Sequence, residues 1–150
     1  RTFVTHELDK KGMHIPEGIH RDLSGGFISK NKGYIHYTIG QRKKLGIDLN
    51  KRVFVHSINP EQNTVVLSDY ASLYKSSFTI IHYYFHSRTD THKKLIVKIR
   101  YREQATECTI SSKDESTLTV HLRTPLESIA PGQTAVFYDD DCVVGGGFIQ

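Results

Sequence analysis

A chain of 150 residues and 17.1 kDa has room for one domain or two small ones. Hydrophobic residues make up 37%, too many for a disordered chain, and no apolar run approaches the roughly 20 residues of a membrane helix. Lys plus Arg number 20 against 16 acids, and the resulting +4 with a pI near 9.0 suits a polyanionic partner without requiring one. Residues 1–10 read as the tail of a helix. His36-Tyr37-Thr38-Ile39 has the aromatic and β-branched character of a strand, which Gly40 ends before the basic run Gln41-Arg42-Lys43-Lys44. Residues 51–58 (KRVFVHSI) and 63–68 predict two strands, with Asn59-Pro60-Glu61-Gln62-Asn63 as the hairpin loop between them. A single helical turn fits 69–75, and further strands fit 77–85, 94–102, 117–123 and 134–139.

In 94–102 (KLIVKIRYR), Leu95, Val97, Ile99 and Tyr101 share one face, and Lys94, Lys98, Arg100 and Arg102 the other. In 117–123, Leu118, Val120 and Leu122 point inward. Many short strands joined by turn signals predict an all-β chain. A boundary near residue 70 separates a small, glycine-rich, irregular β-rich part (1–70) from a regular series of strands (71–150).

Four features invite a chemical reading. Ser24-Gly25-Gly26 resembles the S-G-G-x-D-S loop of ATP pyrophosphatases, whose backbone amides cradle pyrophosphate. Ile28 replaces the acid, and Lys-Asn-Lys-Gly follows instead of a helix, so a β-hairpin turn is the better reading. His82 and His86 stand four apart on a predicted strand, a span of roughly 13 Å, too long for one ion. With no paired cysteines of zinc-site spacing, no metal site is expected. Cys108 follows Glu107, and Cys142 follows three aspartates; acidic neighbours raise a thiol pKa, so both read as buried strand residues. Gly145-Gly146-Gly147 reads as a bulge or corner in a strand. A basic, membrane-helix-free chain with two cysteines fits the cytoplasm. Arg at position 1 suggests a piece of a longer protein.

The basic strand face and the run Arg42, Lys43, Lys44, Lys51 and Arg52 together suggest a polyanion contact. Two motifs sharpen that. YTIGQRKKLGI (Tyr37–Ile47) resembles the Y-T-I-G-Q-R-K-G-L-G-I signature of the tRNA-specific 2-thiouridylases. APGQTAVFYDDDCVVGGGFI (Ala130–Ile149) resembles that family's P-G-Q-x-A-V-F-Y-x-x-x-x-C-x-G-G-G signature. Between them, KIRYREQATECTI (Lys98–Ile110) is similar to the family's basic strand, R-Y-R and then Cys.

The resemblance implies a small central β-rich domain followed by a C-terminal β-barrel resembling translation-factor barrels. These two grip tRNA, while an ATP-pyrophosphatase domain carries the ATP loop and both catalytic cysteines. The family 2-thiolates the wobble uridine of tRNA, using ATP (with Mg) as substrate and sulfur from a persulfide donor protein. On this reading tRNA is the partner, no membrane is involved, and the present residues hold no catalytic group and no cofactor or metal. The fragment alone is expected to be inactive. The tRNA contacts carried over are Arg100 and Tyr101 on the basic strand, Arg102 continuing it, Gln133 in the P-G-Q turn, and Gln41, Arg42 and Lys43 in the central loop. Lys44 stands where the family usually has Gly, Asn31 where it commonly has His, and Val144 where Leu is frequent. Simple alternation would place Tyr101 inward, so a contact by Tyr101 requires a break in the strand. A stand-alone RNA-binding barrel and a protein-interaction module remain open as alternatives.

Overall fold

The computed structural model describes residues 10, 12, 16–86, 90, 93–101, 105–114 and 116–150. The expected helix tail at 1–10 therefore lies, but for Lys10, outside the described residues, as does Arg102. The chain divides into two units, one reaching to Leu73 and the other running from Tyr74 to Gln150.

The first unit is a four-stranded sheet. β1 (Gly18–Arg21) and β2 (Phe27–Asn31) form an antiparallel hairpin, as do β3 (Phe54–Asn59) and β4 (Thr64–Ser68). The two hairpins join through a parallel pairing of β1 with β4, giving the order β2-β1-β4-β3. The β3–β4 loop falls at the predicted turn, where Asn59 Oδ1 accepts the Gln62 N–H at 3.0 Å. β3 begins at Phe54 rather than residue 51, so Lys51 and Arg52 lie ahead of the strand. Val55, Val65 and Leu67 supply the buried face, with Tyr37, Leu45 and Val53 closing over it. A single 3-10 turn at Ala71–Leu73 ends the unit, where a short turn is expected.

The strand expected at 36–39 does not form. Tyr34–His36 is a 3-10 turn, and the chain then runs irregularly into Gly40, whose φ is 82°. The aromatic and β-branched residues there serve packing rather than strand pairing. Tyr37 is buried in the core, its ring edge set against buried His20 at a centroid distance of 5.1 Å.

The second unit is a closed barrel of six strands in the order β10-β5-β8-β7-β6-β9. These are β5 (Tyr74–Phe85), β6 (Leu95–Lys98), β7 (Thr106–Ser112), β8 (Thr117–Glu127), β9 (Thr134–Asp139) and β10 (Cys142–Ile149). Closure leaves no strand edge unpaired around the ring. Alternation places Ile80, Leu95, Val97, Val120, Ala135 and Phe137 inside, each at most 1% exposed. β10 carries the triple glycine, and its pairing slips between Val143 and Gly145 and again between Gly146 and Phe148, so the glycines sit at bulges as anticipated. Among the described residues no helix is long and apolar enough to cross a membrane.

Candidate nucleic-acid interface

The predicted nine-residue strand at 94–102 is only four residues long in the structure, and this decides where its side chains go. β6 pairs with β7 on one side and β9 on the other, and stops at Lys98, opposite Val136. Ile99 stays buried, but Arg100 and Tyr101 leave the pleat in a bend and a turn. Tyr101 is 92% exposed. The inward position that strict alternation assigns to Tyr101 is thus overturned, and the break that a Tyr101 contact requires is present. Through Arg100 burial alternates as expected, with Leu95, Val97 and Ile99 buried and Lys94, Lys98 and Arg100 on the other phase. Lys98 and Arg100 line a cleft of about 280 Å3 with Ile99, Tyr101, Thr134, Val136 and Tyr138. Lys94 instead lines a separate hollow with Glu107, Cys108, Thr109, His121, Leu122 and Arg123.

Within the 280 Å3 cleft, the Lys98 ammonium lies 5.7 Å from the centroid of the Tyr101 ring, within cation–π range. One Arg100 guanidinium nitrogen donates to the Ser128 carbonyl, which ties the bend to the chain just after β8. Gln133 sits immediately before Thr134 of the cleft wall. Its Oε1 accepts the Ala130 N–H at 3.1 Å, and its main chain bonds Ile149 of β10 at 2.8 Å, so the P-G-Q turn is pinned at both ends. The structure therefore brings Arg100 and Tyr101 to one cleft, whereas Gln133 is not part of its lining and adjoins it only along the chain, through Thr134. Tyr138 and Thr134 were missed as cleft residues. Their signal was available, since both fall on the outward phase of TAVFYD, opposite Ala135 and Phe137.

The other predicted residues lie in the first unit. Gly40 N–H donates to the Val55 carbonyl at 2.8 Å, and Val55 N–H to the Gln41 carbonyl at 2.9 Å, so β3 anchors the turn. The Gln41 carboxamide is committed at both ends: Oε1 accepts Thr38 N–H at 3.0 Å, and Nε2 donates to the Lys43 carbonyl at 2.9 Å. Leu45 is buried, and the Tyr37 hydroxyl donates to its carbonyl at 3.4 Å. Between these anchors Arg42, Lys43 and Lys44 are all exposed. Lys44 has φ of 61°, the left-handed conformation that glycine adopts without strain. That is the backbone reason a glycine suits this position.

The remaining chemical candidates resolve plainly. Ser24-Gly25-Gly26 is the β1–β2 turn. Asp22 Oδ1 accepts the Ser24 N–H, the Ser24 hydroxyl and the Gly26 N–H at 2.6–2.9 Å, and these bonds, led by the Ser24 hydroxyl, hold its carboxyl below the usual range. A carboxylate thus fills the place a phosphate would need, and the loop does not fit ATP. Cys108 is buried in β7, and burial pushes its thiol up to about 12. Cys142 lies in β10 but is exposed, against the expectation that both cysteines are buried. Among the described residues no group of three or more His, Cys, Asp or Glu is placed to share a metal ion.

Comparison with known proteins agrees with this architecture. The family model described as the tRNA methyl transferase PRC-barrel domain matches residues 1–69, and that of the aminomethyltransferase β-barrel domain matches residues 75–149. The tRNA-specific 2-thiouridylase MnmA 2 of Phocaeicola vulgatus is 48% identical over 99% of this chain and 42% of that protein. MnmA 1 of Bacteroides fragilis is 44% identical over 90% of this chain and 38% of its own length, and MnmA of Acetivibrio thermocellus 39% over 99% and 41%. The chain thus spans about two fifths of the length of these relatives. With both family models covering its two units in order, the chain belongs to the tRNA-specific 2-thiouridylase family, of which it represents the PRC-barrel and β-barrel portion.

Proposed function

We propose that this chain is the tRNA-binding portion of an enzyme that 2-thiolates the wobble uridine of tRNA. The observation that carries the reading is the barrel cleft. There an exposed tyrosine ring stands beside Lys98 and Arg100, on the residues that resemble the family's basic strand. Arginine and lysine neutralise phosphate, the former with a forked guanidinium, and an exposed tyrosine stacks on an unpaired base or a ribose. Arg100, Tyr101 and Gln133 on the barrel, and Arg42 and Lys43 on the first unit, are the contacts we assign, with Arg102 as a further candidate. Gln41 acts by holding the turn that displays its neighbours.

ATP and the persulfide sulfur belong to parts of the enzyme other than these residues, where a sulfur-donor protein would dock. In the present chain Asp22 fills the one loop that resembles an ATP site. Cys108 is buried with a raised pKa, unsuited to nucleophilic work. The chain by itself is expected to leave tRNA unthiolated, and 2-thiouridine formed by these residues alone with ATP and a sulfur donor would overturn this. The fold and basic charge also fit a cytoplasmic protein.

The direct test is binding of an unmodified tRNA transcript to the 150-residue chain over a salt series. Affinity should fall steeply as salt rises. Tyr101→Ala should weaken binding by roughly 5- to 150-fold, the loss of about 1–3 kcal/mol of stacking, without destabilising a barrel in which the ring is almost fully exposed. Absence of binding at low salt, or binding indifferent to salt, would sink the reading.

A further inference from the structure

A second basic surface, within the first unit, is built more completely than the motif resemblance requires. The turn after Gly40 and the segment leading into β3 face each other across a hollow of about 410 Å3, lined by Arg42, Lys44, Lys51 and Arg52 with Asp48 as its one carboxylate. Each wall is fixed from below. Leu45 anchors the first and Val53 the second, both buried in the core. Gln41 braces the first wall through its two carboxamide bonds, and Lys44 and Gly46 hold left-handed backbone at φ of 61° and 74°.

The charge in this hollow is largely uncompensated. Lys51 interacts with Asp22 and Asp69. Arg42, Lys44 and Arg52 have no ion-pair partner among the described residues. Like charges held together on a braced scaffold repel one another, and an incoming polyanion relieves that repulsion while releasing its own counterions. Because the walls are already ordered, little flexibility is lost on binding.

We propose that this hollow is a binding site for successive backbone phosphates of an RNA strand, with Lys44 and Arg52 as phosphate contacts beside Arg42 and with Gln41 as a positioning residue. The inference rests on the reading that the chain binds tRNA and adds Lys44 and Arg52 to the contacts that the motif assigns. Phosphate is the shared chemistry of an RNA strand and of small polyphosphates. The arrangement favours the strand, since paired cations on two facing walls suit consecutive phosphates better than one compact anion.

The test measures tRNA affinity against salt for the 150-residue chain and for Arg52→Ala, Lys44→Asn and Tyr101→Ala. Asparagine tolerates the left-handed backbone, so Lys44→Asn removes charge without adding strain. Each lost phosphate contact should lower the slope of log affinity against log salt by about 0.7–0.9, or roughly five- to eightfold in affinity per decade of salt. Arg52→Ala and Lys44→Asn should each show this, whereas Tyr101→Ala should weaken binding with the slope unchanged. If tRNA binds and Tyr101→Ala weakens it but both charge variants keep the parental slope, the hollow is not a phosphate site and the tRNA reading stands. If the parental chain fails to bind tRNA at low salt, both fall. Inorganic pyrophosphate supplies the other arm. Saturation of the hollow by pyrophosphate at micromolar concentration, abolished by Arg52→Ala with no change in the tRNA slope, would assign it to a small ligand instead and overturn the proposal.

Discussion

Replacing Gly145 by alanine asks whether the triple glycine is demanded by barrel closure. At this position β10 crosses the end of β5, with Gly145 registered against Phe85. An added Cβ would lie 2.5 Å from Phe85 Cδ1, 2.5 Å from the Tyr84 carbonyl oxygen and 2.8 Å from Phe85 Cγ. Neither obstacle yields easily. The carbonyl is backbone of the partner strand, and the Phe85 ring packs at 5.2 Å on Phe137, which is fully buried. Overpacking of this kind costs typically about 1–3 kcal/mol, and a double obstruction puts Gly145→Ala near the upper end. Alanine recovers about 0.5–1 kcal/mol of backbone entropy relative to glycine. The net expectation is a barrel destabilised by about 2 kcal/mol, or roughly 8–16 °C in midpoint for a unit of this size. Thermal unfolding followed by circular dichroism measures this, and labelling of Cys108, buried in the same barrel, reports the barrel specifically. A midpoint within about 2 °C of the parental value would show that β5 and β10 can separate freely at this contact, and would refute the argument.

Three further expectations follow from particular environments. At mildly alkaline pH a thiol reagent should label Cys142 promptly and Cys108 only on unfolding, because Cys108 is buried with a thiol raised to about 12; rapid modification of both would contradict the barrel packing. His20 is buried and its pKa is lowered from 6.5 by desolvation, so the unfolded chain takes up its proton first as pH falls. The stability it supports is complete above pH 6.5 and is lost as pH drops through the lower folded value. The urea midpoint of the first unit should therefore fall between pH 7.5 and 5, less so in His20→Gln, and an identical pH dependence in that variant would exclude His20 as the cause. Lys44→Gly should raise the stability of the first unit by about 0.5–1 kcal/mol, since it relieves a left-handed lysine at some cost in unfolded-chain entropy; a lower urea midpoint would show that Lys44 contributes contacts beyond its strain.

Period-2 alternation was the most legible signal. Residues 134–139 form β9 within the predicted bounds, and β8 begins at the predicted Thr117. The Asn59–Asn63 turn and the reading of Ser24-Gly25-Gly26 as a hairpin were equally local, because a turn is specified by the few residues that make it. Alternation failed where strand length is decided by neighbours. Nothing within KLIVKIRYR marks the end of pairing at Lys98; that is set by where β7 and β9 stop supplying partners. HYTI has strand-like composition, but Gly40 and Gln41 bond Val55 and Tyr37 packs into the core, so its apolar character is consumed by packing.

The candidate site divides in the same way. Motif order along the chain identified the family, and the basic and aromatic residues were visible one by one. By itself the sequence determined an all-β chain, the two hairpins of the first unit, the inward phase of β6 and β8 and the family to which the chain belongs, because each depends on local periodicity or on motif residues. Tertiary structure alone decided the parallel β1–β4 pairing, the barrel order, the exposure of Tyr101 and Cys142, and the convergence of Arg42, Lys44, Lys51 and Arg52. These depend on which distant backbone groups satisfy one another's hydrogen bonds and on which apolar faces close together, and no window of neighbouring residues contains that information.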